Sequence, residues 1–194
     1  MKKPQEKSDA QLIKLSLENS DNFGQLVARY EKKLLRYVRR LSGLDIQSIE
    51  DILQEVFVKI YINLNDFDPT FEFSSWAYRI THNETINYLR RHKKMIIVPL
   101  ETEDKETGNL IDVLKSEIDI EKDASRQDTI ERIRVTISML PDKYREILIL
   151  RYIEEMDYKE ISDILKMPMG TVAVTINRAK EKFKQIAEKM NLNS

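Results

Sequence analysis

The chain has 194 residues, 41% of them hydrophobic, and its 34% of charged residues nearly cancel to a net charge of −1. That length can bury a core in one domain or two small ones, and the balanced charge means that a nucleic-acid surface would have to come from local distribution rather than from a global excess of base. The absence of cysteine excludes a disulfide scaffold, a thiolate metal site and a cysteine nucleophile, and suits a reducing cytosol.

At the N-terminus, "MKKPQEKSDAQLIKL" has two early lysines but no apolar run long enough for a signal peptide or a membrane span. The chain is therefore expected to be cytoplasmic and not membrane-embedded. Only four Gly and five Pro interrupt it, a helical composition. "DAQLIKLSLE" predicts a first helix with Asp9 as its cap. "NFGQLVARYEKKLLRYVRRLSG" places Phe23, Leu26, Val27, Tyr30, Leu34, Leu35, Val38 and Leu41 at helical spacing and stops at Gly43. "SIEDILQEVFVKIYINL" opens on Ser48, with Asp51 three residues on, and carries the stripe Ile49, Ile52, Leu53, Val56, Phe57 and Ile60. "NDFDPTFEF" reads as a loop, and "SSWAYRITHNETINYLRRHKK" as a helix with a basic C-terminal end.

From 92 to 125 the pattern breaks at Pro99 and Gly108, and nine Asp or Glu face five Lys, which predicts an acidic linker. Helical periodicity returns with Ile130, Ile133, Ile137 and Leu140, then with "PDKYREILILRYIEEM", which begins on a proline. "DYKEISDILKMPMGTVAVTINRAKEKF" is a helix capped by Asp157 and Glu160, a short turn and a second helix, the sequence form of a helix-turn-helix. In that second helix Val172, Ile176, Ala179, Phe183 and Ile186 form one core stripe. Ala173, Val174, Asn177, Arg178 and Glu181 then point outward, with Thr171, Thr175 and Lys180 on the flanks. The fold class expected is all-α: two small helical domains, 8–91 and 126–189, joined by the acidic linker 92–125, the C-terminal one a helix-turn-helix.

Two further patterns carry chemistry. Glu50, Asp51, Gln54 and Glu55 form an acidic strip on one side of a helix; such a strip is usually a solvated face, or else a docking face for a basic partner. Between 67 and 94, six aromatics interleave with Arg79, Arg90, Arg91, Lys93 and Lys94. Rings that stack on bases, beside cations that follow a backbone, suit single-stranded nucleic acid. Trp76 is expected in the helix core, Phe71 and Phe73 in or near the loop as exposed stacking rings, and Asn83 as a hydrogen-bonding group for a splayed base. No HExxH, P-loop or nucleophile elbow occurs, and His82 and His92 lack metal-ligand spacing. No enzymatic activity, cofactor or metal is expected.

In order and spacing, "EDILQEVFVKIY", "FEFSSWAYRITHNETINYLRR", "LPDKYREILILRY" and "DYKEISDILKMPMGTV" followed by "NRAKEKF" resemble bacterial RNA polymerase sigma factors of the extracytoplasmic-function group. The resemblance covers nearly the whole chain. It implies a first domain that docks on the clamp helices of the polymerase β′ subunit through Glu50, Asp51, Gln54 and Glu55. The same domain would open and hold the −10 element through Phe71, Glu72, Phe73, Arg79, Asn83, Arg90 and Arg91, with Phe71 to Phe73 in the loop that captures a flipped base. The second domain would read the −35 element through Thr171, Ala173, Val174, Thr175, Asn177, Arg178 and Lys180, and would contact the β flap. The linker would thread the RNA channel. An anti-sigma factor, often membrane-tethered, commonly controls such proteins, and the free protein is expected to be a monomer.

The chain departs from the family pattern where "GTVAVT" replaces "GTVKSR" or "GTVRSR", at Asn87 in place of the usual Asp, and at "THN", where small residues usually precede the Asn. Ala173, Val174 and Thr175 lack charge-assisted contacts but keep methyl groups that can meet thymine methyls, so a T-rich or weakly read −35 element is expected. Two other readings stay open. One is a stand-alone helix-turn-helix regulator, which would not need the 44–94 block. The other is a sigma-like adaptor that binds polymerase or an anti-sigma factor without reading −35 DNA.

Overall fold

A computed structural model describes residues 7–92, 133 and 135–191. These residues contain helices and turns but no strand. The chain divides into two compact units, the first made of Met1–Val38 and Leu44–Lys94, the second of Met95–Ser194 with the short piece Arg39–Gly43. Residues 93–125 of the expected linker, and Ile130, lie outside the described residues.

In the first unit, α1 (Asp9–Glu18) is capped by Ser8 and not by Asp9. Ser8 has the extended backbone a cap needs, its hydroxyl accepts the Gln11 amide, and Gln11 returns the bond to the Ser8 amide. Asp9 is thereby left to tie α1 to the next helix, accepting bonds from the Arg29 guanidinium and the Tyr30 hydroxyl. A 3-10 turn at Ser20–Asn22 leads into α2 (Phe23–Ser42), which buries Leu26, Tyr30, Leu34, Tyr37 and Val38. Gly43, at φ 62°, ends it in the left-handed region and donates its amide to the Arg39 carbonyl at 2.9 Å.

Helix α3 (Ile46–Ile62) starts two residues earlier than the Ser48 reading. Asp45 is the cap, accepting the Ser48 amide at 2.9 Å and its hydroxyl at 3.0 Å. Ile49, Ile52, Leu53, Val56 and Ile60 form the buried stripe, while Phe57 is half-buried. A 3-10 turn (Leu64–Asp66) and a loop lead to α4 (Phe73–His92), which packs along α3. Its inner face is Phe73, Trp76, Ala77, Thr81, Thr85 and Leu89. Thr81 and Thr85 avoid an unpaired buried hydroxyl by donating to the carbonyls four residues back, both at 2.8 Å.

In the second unit, 135–138 is helical and Ile133, Ile137 and Leu140 are buried. Pro141 opens α5 (Asp142–Leu148), which runs into a π-helical turn, Ile149–Ile153. Arg145 is 2% exposed and donates to the Ser138 carbonyl and to Asp142. Helix α6 (Tyr158–Leu165) carries the Asp157–Glu160 capping box, both bonds at 2.8 Å. Lys166, at φ 52°, is the left-handed residue of the turn, and the Ser162 hydroxyl braces that turn on the Met167 carbonyl at 2.6 Å. Helix α7 (Met169–Asn191) follows and packs on α5 and α6 with Val172, Ile176, Ala179 and Phe183 fully buried and Ile186 half-buried. Gly170 lies within α7, and a Cβ there would meet nothing within 4 Å.

Candidate functional site

The buried stripe of α3 fixes what its other side shows. Glu50, Asp51, Gln54 and Glu55 are all exposed, a surface of three carboxylates and an amide. Glu55 meets Arg91 of α4 at 3.4 Å, with both side chains more than half exposed. A pair so open to water contributes about 0–1 kcal/mol, so a partner can replace either side. Beneath it Lys59 neutralises Glu84, an 8% exposed carboxylate, at 2.7 Å. Glu55, Lys59, Glu84, Asn87, Arg90 and Arg91 together line an open groove between the two helices.

The loop before α4 separates the two phenylalanines expected to stack on bases. The Asp68 carboxylate accepts the Thr70 amide at 2.9 Å, and that bond holds it in the charged form, below the usual carboxylate range. Phe71 follows with its amide on the Asp68 carbonyl at 3.1 Å and its ring 41% exposed. Glu72 is also exposed, and its carbonyl accepts the Trp76 amide and the Ser75 hydroxyl as α4 begins. Phe73 does not face solvent. It is 4% exposed, edge-on to Tyr30 at 5.2 Å and to Phe67 at 5.6 Å, with Trp76 at 5.7 Å. The helix starts one residue before the expected "SSW", and its first side chain falls on the inner face. Trp76 is a core residue, as the sequence led us to expect.

Along α4, Arg79, Asn83 and Arg90 stand at i, i+4 and i+11, on one outward side. Arg79 is half-buried, while Asn83 and Arg90 are exposed. Arg91 is turned about a quarter of the helix away, toward α3, where Glu55 holds it. Phe71, Glu72, Asn83 and Arg90 are thus exposed and Arg79 half-buried, while Phe73 lies in the core and Arg91 on the seam with the acidic strip. The exposed ring of His92 stacks on Tyr88, centroids 4.1 Å apart, and the Tyr88 hydroxyl donates to Ser48 at 3.0 Å.

On α7, Thr171, Val174, Asn177 and Arg178 are exposed, and Ala173, Thr175 and Lys180 are half-buried. The Thr175 hydroxyl donates to the Thr171 carbonyl at 2.7 Å. The Lys180 ammonium lies 5.5 Å from the centre of the Tyr152 ring, a cation–π contact. Arg178, exposed where Lys180 is half-buried, is the more accessible cation. Sequence reasoning passed over Met169, 55% exposed on the first turn of α7; its place directly after Pro168 was the available signal. Among the described residues no group of three His, Cys, Asp or Glu could hold a metal, and no helix is long and apolar enough to cross a membrane.

Comparison with known proteins bears on both units. The family model described as Sigma-70 region 2 matches residues 26–95, and that described as Sigma-70, region 4 matches residues 130–183. The chain is 33% identical over 168 residues to the ECF RNA polymerase sigma factor SigW of Bacillus subtilis strain 168, covering 86% of this chain and 89% of that protein. Among solved structures, CnrH in complex with the cytosolic domain of CnrY matches with a TM-score of 0.64 at 24% identity, over 92% of this chain and 96% of that one. The sigma factor RpoE in complex with the anti-sigma factor NepR from Bartonella quintana matches with a TM-score of 0.61 at 18% identity, over 86% and 97%. The two structures speak for the fold.

Proposed function

The chain belongs to the ECF RNA polymerase sigma factors, and from that membership we propose that its two units divide promoter recognition between them. The α3–α4 pair docks on the clamp helices of the β′ subunit through Glu50, Asp51, Gln54 and Glu55. It captures the −10 element with Phe71, Glu72, Asn83, Arg79 and Arg90. The α6–α7 pair reads the −35 element and meets the β flap. The observation that carries this reading is the two-sidedness of one packed helix pair. Exposed acids line the outward face of α3 and exposed Asn83 and Arg90 line that of α4, so a protein partner and a nucleic-acid strand can be held on adjoining surfaces.

At the −35 element, Val174 and Ala173 offer methyl groups to thymine methyls and Asn177 offers an amide to a base edge, while Arg178 and the exposed Lys182 one turn further along α7 reach phosphates. The half-buried Lys180, held over Tyr152, contributes less than its position in the sequence implied. The RpoE structure that this fold resembles was solved with an anti-sigma factor, and control by such a factor is part of the proposal. The cytoplasm is its proposed site of action. The direct test is charge reversal at Asp51 and Glu55. Asp51→Lys with Glu55→Lys should abolish binding to purified core polymerase while lowering the melting temperature only slightly, because both side chains are exposed and only the open pair with Arg91 is lost. Unaltered core binding would refute the docking face.

A further inference from the structure

The chain has no cysteine and seven methionines, so its sulfur chemistry is confined to thioethers, whose reactivity toward a two-electron oxidant follows their exposure. The fold sorts them. Met156 is 5% exposed and belongs to the core. Met167 and Met190 are half-buried, and the Met190 sulfur accepts the Thr136 hydroxyl at 3.5 Å. Met139 and Met169 are 58% and 55% exposed, while Met1 and Met95 lie outside the described residues. Met169 differs from Met139 in what surrounds it. It opens α7, and Ala173 stands one turn further along the same side. Gly170 has no side chain, and nothing lies within 4 Å of where its Cβ would stand, so the surface beside Met169 is bare. The buried stripe of α7 begins at Val172, and the fold does not require an apolar side chain at 169.

We propose that Met169 is an oxidation-sensitive modification site that controls how α7 reads the −35 element, with a peroxide as the oxidant. This rests on the reading of α7 as the −35 helix. A lone pair of the thioether sulfur attacks one peroxide oxygen, and the S–O bond forms as the O–O bond breaks. With hydrogen peroxide, the departing hydroxide takes the proton of the transferred hydroxyl and leaves as water. The sulfur loses two electrons and the peroxide gains them. The product, methionine sulfoxide, is reversed by a reductase. It replaces an apolar group by a dipole whose oxygen only accepts hydrogen bonds. Such an oxygen finds no donor on a thymine methyl and is repelled by phosphate oxygens. Ala173, Val174 and Thr175 beside it carry no charge, so no neighbouring cation offsets the change. The sulfoxide thus weakens the apolar readout while the buried stripe of α7 stays in place.

The test treats the full chain with hydrogen peroxide, removes the peroxide, adds core polymerase and measures binding to a promoter selected from a library by run-off transcription. Peptide mass spectrometry maps the sulfoxides, and thermal melting follows the fold. Met139 and Met169 should be oxidised before Met156, and the oxidised protein should bind its promoter about tenfold more weakly. Methionine sulfoxide reductase should restore the binding. Met169→Leu should bind as the untreated parent does and keep its affinity after peroxide, whereas Met139→Leu should lose affinity as the parent does. Met169→Gln, polar without any oxidant, should bind weakly from the outset. The inference is overturned if Met169 stays unoxidised while Met139 reacts, or if the protein oxidised at Met169 keeps its affinity. A Met169→Leu variant as sensitive to peroxide as the parent overturns it too. Where peroxide lowers the melting temperature, Met169→Gln decides, and parental affinity in that variant sinks the inference. If Met169→Gln is silent while Thr175→Arg changes promoter preference, α7 still reads DNA and only the switch falls. If neither variant changes promoter binding, both fall.

Discussion

Phe71 and Phe73 are two residues apart in sequence and lie on opposite sides of the boundary between water and core. On the proposed reading the stacking role falls to Phe71, and the two variants should separate cleanly. Phe73→Ala empties a space bounded by Tyr30, Phe67 and Trp76 and should lower stability by about 3–5 kcal/mol in chemical denaturation. Phe71→Ala should stay within about 0.5 kcal/mol of the parent yet bind single-stranded −10 DNA about tenfold more weakly, the loss of one stacked base. Tyr30 offers a second residue-scale measurement. Burial first, then its hydroxyl's bond to Asp9 and the charge of Asp9, hold its pKa well above the usual value near 10. The phenol stays protonated in the fold where the unfolded chain would ionise. Its contribution to stability is thus fully present below pH 10 and is lost as the pH rises beyond it. Denaturation measured from pH 8 to 11 should show stability falling less steeply above pH 10 in Tyr30→Phe than in the parent. The acids of α3 and the exposed Asn83 and Arg90 were legible in the sequence because they follow from the helical period alone. Phe73 was not, since one residue of uncertainty in a helix start moves a side chain from loop to core.

Among the elements, the helix-turn-helix was the most legible. Its capping box, its core stripe and its turn all lie within one stretch and reinforce one another. The helix starts of the first unit were harder to place, because Ser8 competes with Asp9 and Asp45 with Ser48, and only backbone geometry decides which hydroxyl or carboxylate side chain caps. The π-helical turn Ile149–Ile153 left no mark in the apolar pattern: it is a change of hydrogen-bond register within a continuous apolar run. The element-scale prediction concerns the missing charge of α7. Thr175→Arg replaces a side chain whose hydroxyl is bound back on its own helix with a cation beside Thr171. It should change −35 preference toward guanine and steepen the salt dependence of promoter binding by about one unit of slope. A variant identical to the parent in both respects would mean that α7 does not enter the groove.

At the scale of the molecule, the net charge of −1 is spread unevenly over the helix faces. Acids line α3, bases and amides line α4, and the outward start of α7 is uncharged. Such a chain has little general attraction for DNA, so on the proposed reading its specificity comes through the polymerase that brings promoter and protein together. Two helical units were legible from periodicity on either side of an aperiodic acidic stretch. How the contact pattern assigns Arg39–Gly43 to the second unit was not, because that depends on packing across the chain and not on local pattern. The central claim is that this protein confers promoter choice on a catalytic core it does not itself contain. Run-off transcription with purified core polymerase on a promoter library measures it. Added protein should produce initiation only from a subset of promoters, sharing a −10 element and an A·T-rich upstream element. Initiation unchanged by the protein, or absent from every promoter, would contradict the account.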